Sequence, residues 1–164
     1  MPYFYLVLLV CGIDQVVKFW VQAKLAPFES INLWEGWFSI TYVSNYGAAF
    51  GILQSHTLLL LGVALATFVY VWFKRREMQK YPQLFQIGTA IALGGALGNF
   101  IDRLRQGFVT DYLDIHFWPV FNIADIAIVS GVLLIALSLL CQEIQIKKGF
   151  KSTTDAVVFE EEKQ

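Results

Sequence analysis

The sequence predicts an all-α membrane protein, a four-transmembrane-helix bundle with a small β element at one end. Of its residues 57% are hydrophobic and 15% charged, against ~45–50% and ~25% in ordinary globular domains. Its mean hydropathy is +0.56, and four runs approach the roughly 20 apolar residues that cross a bilayer. The 164 residues suit one domain. A net charge of −1 supplies no basic field for a nucleic acid, so nucleic-acid binding is set aside.

The four spans fall at about 3–20, 55–73, 84–101 and 120–141. Between the second and third lies Lys74-Arg75-Arg76-Glu77-Met78-Gln79-Lys80, and after the fourth come Lys147, Lys148 and Lys151. Basic loops stay on the cytoplasmic side, so both segments are expected inside the cell. An even number of spans then puts both termini inside and leaves 21–54 and 102–119 outside. Arg103 and Arg105 weaken that asymmetry without reversing it. Residues 1–146 therefore form the membrane domain and 147–164 a polar cytoplasmic tail, whose end is expected to be mobile.

The first outer segment alternates from Ile31 to Val43, a period of two that reads as strands lying on the membrane surface, with Trp34 and Trp37 at headgroup depth. Cys11 and Cys141 sit in apolar runs without metal-ligand spacing. Val10, not a small residue, precedes Cys11, so Cys11 reads as a packing residue rather than a lipid acceptor. No basic n-region opens the chain, and the first span is expected to be retained. His56 and His116 lack partners at ligand spacing and read as interfacial hydrogen-bonding groups.

An acidic group in hydrocarbon costs at least ~2.5–3.5 kcal/mol on insertion scales, so such residues mark function. Asp14 lies about eleven residues into the first span, or ~16 Å at 1.5 Å per residue, past the midplane. Asp102 ends the third span, Asp125 lies about one and a half turns into the fourth, and Asp111 and Asp114 belong to the segment between them. Carboxylates distant in the chain thus gather in one layer near the outer face. The plainer reading, helix-end charges in contact with water, suits Asp114 and fits the deeper Asp14 and Asp125 poorly. Asp14 and Lys18 are spaced i, i+4 with the acid first. Asn99, Asp102 and Arg103 share a helix face, as do Asn122 and Asp125. Asn99 and Asn122 can donate to a carboxylate without cancelling its charge. The Gly94-Gly95-Ala96-Leu97-Gly98 run permits close approach of another helix, whether of this chain or of a substrate.

These residues resemble the lipoprotein signal peptidases, the bacterial signal peptidase II family. The matching blocks are Asp14-Gln15-Val16-Val17-Lys18; Asn45-Tyr46-Gly47-Ala48-Ala49-Phe50-Gly51; Gly94 to Arg103; Val109-Thr110-Asp111-Tyr112; and Phe121-Asn122-Ile123-Ala124-Asp125. Each block is weak, but five in order along a four-span chain are specific. The resemblance implies a four-helix bundle with an extracytoplasmic β-cradle and a short peripheral helix. It further implies an inner-membrane aspartyl endopeptidase that cleaves diacylglyceryl-modified prolipoproteins before the lipidated cysteine. Its substrates would be lipid-modified signal peptides met among membrane lipids; no cofactor or metal is implied, and a monomer is expected. The catalytic pair would be Asp111 and Asp125, supported by Asp14, Lys18, Asn45, Gly47, Asn99, Asp102, Arg103 and Asn122. Thr110 and Tyr112 stand where the family more commonly has Val and Phe, which touches substrate fit rather than a catalytic atom.

Local chemistry leaves Asp102 and Asp111 as competitors for the second catalytic position. Arg103 adjoins Asp102 and would hold it ionised, whereas Asp111 has no neighbouring cation from Val109 to Ile115. The resemblance selects Asp111. Two close carboxylates in a dry site share one proton, so one serves as base toward water and the other as acid toward the scissile carbonyl. Asn45 and Arg103 are expected to hydrogen-bond substrate carbonyls. Intramembrane charges also mark proton-coupled carriers or bind partner helices. A carrier spreads its acidic groups along a path, and the one-sided layer here favours an enzyme.

Overall fold

The computed structural model describes residues 3–47 and 56–161, with side chains described as far as Lys147. Four helices carry the apolar runs: α1 (Phe4–Lys24), α2 (Thr57–Met78), α3 (Gln83–Gln106) and α4 (Ile123–Glu161). All four are long and apolar enough to cross a membrane, α4 over Ile123–Lys147. Three strands, β1 (Ser30–Trp34), β2 (Phe38–Asn45) and β3 (Val109–Asp114), form one antiparallel sheet in that order. The sheet joins the outgoing ends of α1 and α3 and the incoming end of α4.

Helix α3 is the hub. Its buried residues include Gly88, Ala90, Gly94, Gly95, Gly98, Asn99 and Asp102, and their small side chains let backbones approach. A methyl group added to Gly94 would lie 2.7 Å from Val10 Cβ of α1. One added to Gly95 would overlap the Ala124 carbonyl oxygen of α4. Further along, a methyl on Gly88 would lie 2.7 Å from the Gly131 carbonyl oxygen. The glycine run therefore packs α3 against two helices of its own chain. On α1 the buried residues are Val7, Cys11, Asp14, Lys18 and Val21, spaced by three and four along one face, so Asp14 and Lys18 lie in the packed seam. Lipid-sized side chains such as Leu8, Val16 and Phe19 cover the opposite face. Helix α2 is the least embedded, with Val71 its buried residue, packed with Val7, Ala90 and Leu93.

The alternation from Ile31 to Val43 becomes the β1–β2 hairpin, which turns through Gly36 at φ 76°. Trp34 and Trp37 flank the turn with ring centroids 6.4 Å apart. The third strand comes from the second inter-span segment: Gly107, at φ 82°, closes α3 with its N–H on the Arg103 carbonyl (3.1 Å), and β3 starts two residues later.

The helices outrun the hydropathy spans. Hydrogen bonding continues α1 to Lys24 and α3 to Gln106, beyond the apolar windows. Conversely α4 starts at Ile123 rather than 120, because Phe121 pairs with Leu113 (N–H to carbonyl 3.1 Å) and Pro119 precedes it. Asp125 is therefore in the first turn of α4, not one and a half turns deep. Where a mobile tail is expected, α4 continues as far as Glu161; residues 143–161 contain no proline and a single glycine. The described residues contain no short peripheral helix, and residues 48–55, with Ala48, Ala49, Phe50 and Gly51 of the second block, lie outside them.

Candidate active site

The sheet register places Asn45 and Asp111 on one face. Val43 pairs with Asp111 and Asn45 with Val109, making Asn45 and Asp111 diagonal neighbours. Asn45 Nδ2 donates to Asp111 Oδ2 at 2.8 Å. The opposite face of β3 turns Tyr112 into a cluster with Val21, Leu25 and Tyr42.

The N-terminus of α4 supplies Asp125. Four helical N–H groups at such an end need partners from outside the ladder. Ile123 N–H donates to Tyr112 Oη (3.3 Å), Ala124 N–H to Asp14 Oδ1 (3.0 Å) and Asp125 N–H to Asn122 Oδ1 (2.9 Å). In return Asn122 N–H donates to Asp125 Oδ2 at 3.2 Å, a reciprocal capping box. The same Asn122 reaches Asp111 Oδ1 with Nδ2 at 2.6 Å. One asparagine thus holds both carboxylates, Asp111 by its side chain and Asp125 by its backbone.

Behind Asp125 lies a fully buried ionic cluster. Lys18 Nζ is 2.9 Å from Asp14 Oδ2 and 3.1 Å from Asp102 Oδ2, all three side chains at 0% exposure. It also donates to Asn99 Oδ1 at 2.8 Å, and Asn99 Nδ2 donates to Asp125 Oδ1 at 2.9 Å. Burial of unpaired charge costs several kcal/mol per ion, so the cluster persists because each member is paired and hydrogen-bonded. Asp102 further accepts the Thr110 N–H (3.1 Å) and Gln15 Nε2 (3.0 Å).

This corrects the expected pairing of Asp102 with Arg103. Consecutive helical side chains diverge by about 100°, and Lys18 from α1 fills the place beside Asp102. Arg103 instead donates Nη2 to the Gly47 carbonyl at 2.8 Å and Nη1 to the Asn99 carbonyl at 3.5 Å. Its Nε is buried without a hydrogen-bond partner among the described residues. Gly47 N–H in turn donates to Asn45 Oδ1 at 2.9 Å, so Gly47 ties Asn45 to Arg103. The Asn45 amide, expected to face substrate, is directed at Asp111.

A cavity of about 1,310 Å³ opens on this assembly. Asp111 and Asp125 line it, together with Asn45, Asn99 and Arg103, and Phe117 and Trp118 form part of its wall. Ile126, Val129 and Leu133 continue it along α4 at spacings of three and four, an apolar strip leading away from the carboxylates. Asp14 and Asp102, at 0% exposure, stand behind the site rather than in its lining. Burial, reinforced by the charge of Asp125, pushes the Asp111 carboxyl up to about 7 despite the Asn45 and Asn122 donors. Burial likewise raises Tyr112, which stays a neutral phenol.

All ten residues singled out in the sequence converge on this end of the bundle. Three contributors carried no assigned role there. Gln15 donates to Gly98 O as well as Asp102, and an amide inside an apolar span was the available signal. Tyr112 and Thr110 supply the helix-end acceptor and the N–H on Asp102. Asp114 accepts from Thr41 Oγ1 (2.9 Å) and from the His116 N–H (2.9 Å), and His116 Nε2 lies 3.2 Å from Ser39 Oγ. Among the described residues no His, Cys, Asp and Glu cluster could hold a metal ion.

Four apolar helices around buried carboxylates, opening on a largely apolar cavity, define a multi-pass membrane protein with a carboxylate-lined site. A bacterial membrane enzyme solved by the in meso method at 2.3 Å superposes with a TM-score of 0.81 at 29% identity, over 87% of this chain and 89% of its own. A second such structure, at 1.9 Å, gives 0.76 at 29% identity, over 85% of this chain and 92% of its own. The lipoprotein signal peptidase of Moorella thermoacetica is 44% identical over 85% of this chain and 93% of its own length. That of Syntrophomonas wolfei is 45% identical over 81% and 89%. The model of signal peptidase (SPase) II matches residues 6–141. The chain belongs to the signal peptidase II family and is a multi-pass inner-membrane protease.

Proposed function

We propose that this protease removes signal peptides from diacylglyceryl-modified prolipoproteins by an Asp111–Asp125 aspartyl mechanism, cutting before the lipidated cysteine. Prolipoproteins are the substrates that membership of the family assigns; the lipid requirement, the cleavage position and the mechanism are our reading. The observation that carries it is the pair of carboxylates held on one asparagine and facing one cavity. Two carboxyls so placed in a poorly hydrated site share one proton. One takes a proton from water as the oxygen attacks the scissile carbonyl, and the other donates to the carbonyl oxygen.

Arg103 Nε, buried beside the dyad without a partner among the described residues, is positioned to donate to a substrate carbonyl. The strip of Ile126, Val129 and Leu133 gives the acyl chains or signal helix an apolar path in lipid. With the basic Lys74–Lys80 loop inside, the site lies at the outer leaflet, where a lipid-anchored cysteine sits. Residues 1–146 form the peptidase domain, 147–164 a cytoplasmic tail, and the enzyme works as a monomer.

The test uses purified enzyme and a precursor peptide in lipidated and unlipidated forms, with the products weighed by mass spectrometry. The lipidated peptide is expected to give one new N-terminus at the modified cysteine and the unlipidated form little product. Equal cleavage of both, or a cut elsewhere, would contradict the proposal.

A further inference from the structure

We infer that Lys18, acting through the Asn99 amide, makes the two carboxylates unequal, so that Asp125 carries the negative charge and Asp111 holds the shared proton. This rests on the dyad proposed above and assigns its roles. An ammonium group only donates, so the Asn99 atom 2.8 Å from Lys18 Nζ is its oxygen. The planar amide then has one possible orientation, with its NH2 on Asp125 Oδ1 at 2.9 Å. The cation polarises the amide, and a polarised donor binds an anion more strongly than a neutral acid.

The second oxygen of Asp125 accepts a backbone N–H at the N-terminus of α4, where the aligned peptide dipoles favour negative charge. Asp111 has neither advantage. It lies on a strand, and its donors, Asn45 and Asn122, are amides whose oxygens accept the neutral N–H groups of Gly47 and Asp125.

The charged and titratable groups around Asp125 come from three elements. Helix α1 contributes Lys18 and Asp14, α3 contributes Arg103 and Asp102, and β3 contributes Asp111 and Tyr112. Asp14 and Asp102 would oppose a further anion, but each is held by Lys18 and by a backbone N–H of its own. Lys18 and Arg103 remain as attractions on Asp125; Lys18 attracts Asp111 as well, as the smallest of the influences on it and without an amide between them.

The step then balances. Water gives its proton to Asp125 while its oxygen bonds to the carbonyl carbon, and Asp111 gives its proton to the carbonyl oxygen, yielding a neutral gem-diol. On collapse the C–N bond breaks, Asp125 passes its proton to the departing nitrogen, and Asp111 recovers one from a gem-diol hydroxyl. Lys18 touches neither water nor substrate; it is a positioning residue.

The test is the pH profile of kcat/KM, whose acid limb reports the base and alkaline limb the acid of the free enzyme. Asn99→Ala takes a donor from Asp125, and the acid limb is expected to move up by about one pH unit, tenfold in rate below it. Asn45→Ala takes a donor from Asp111 and is expected to move the alkaline limb up instead. Shifts on the opposite limbs, or a fall in rate with both limbs in place, would overturn the inference. Lys18→Met combined with Asp102→Asn preserves the net charge of the cluster and is expected to shift the acid limb as Asn99→Ala does; an unmoved limb would remove Lys18 from the account. Should that pair not fold, Lys18→Arg keeps a donor-only group on the Asn99 oxygen and must leave the acid limb in place, a shift again removing Lys18. Cleavage retained by Asp111→Asn or Asp125→Asn would instead defeat the proposed function, so the two failures are distinguishable.

Discussion

Arg103 illustrates how a side chain can serve two purposes from one position. Its Nη2 fixes the Gly47 carbonyl, while Nε is buried without a partner among the described residues in a side chain that lines the cavity. Lysine has one ammonium and cannot supply both directions at once. Arg103→Lys is therefore expected to lower kcat/KM for lipidated peptide by at least tenfold, about 1.4 kcal/mol, with the helical content unchanged by circular dichroism. Wild-type turnover would remove the proposed substrate contact. Asp111 supplies a second expectation. Its folded value of about 7 exceeds the ordinary 3.8, so the folded state binds more protons than the unfolded chain between those values. Its contribution to stability is complete below about 4 and is lost as pH rises toward 7. Thermal unfolding in detergent should show Asp111→Asn gaining on wild type across that interval; a constant difference would contradict the shift.

Among elements, the contact between α3 and the start of α4 sets the position of Asp125. A methyl group on Gly95 would meet the Ala124 carbonyl oxygen, which is backbone and cannot swing aside. Gly95→Ala is expected to cost about 1–3 kcal/mol of stability and to reduce cleavage, because α4 must move. Gly62 on α2 has nothing within 4 Å of the same addition, and Gly62→Ala should be neutral or slightly stabilising. Melting temperatures of the two variants check this; equal behaviour would contradict the packing account. Elements also show where the sequence was readable. The apolar runs gave the helices, but hydropathy measures lipid compatibility while helix ends follow hydrogen bonds, hence the added turns to Lys24 and Gln106. Strand β3 was missed because Val109–Asp114 is short and its partner β2 lies far back in the chain. The helical pairing of Asp14 with Lys18 was legible from spacing alone. The Lys18–Asp102 contact depends on how α1 meets α3, which neither helix records by itself.

At the scale of the molecule, the basic Lys74–Lys80 segment and the sheet lie at opposite ends of the bundle, and the orientation proposed for the membrane rests on the first. In a background lacking Cys11 and Cys141, Trp37→Cys should react with an impermeant maleimide added outside intact cells, and Lys147→Cys only after lysis. The reverse pattern would invert the topology and place the cavity on the cytoplasmic side. The layer of carboxylates was visible in the sequence because four spans fold it to one end. Its division of labour was less so: local chemistry left Asp102 and Asp111 as competitors and only the resemblance chose between them, whereas in the structure, with both side chains buried, Asp111 lines the cavity and Asp102 does not.

The central claim is that Asp111 and Asp125 jointly activate water for peptide cleavage. Single-turnover cleavage of a lipidated precursor by purified Asp111→Asn and Asp125→Asn tests it most directly, because asparagine keeps the shape and removes the proton exchange. Both variants are expected to bind the precursor and to lose at least about a thousandfold in rate, roughly 4 kcal/mol. Cleavage at the wild-type rate by either would contradict the account.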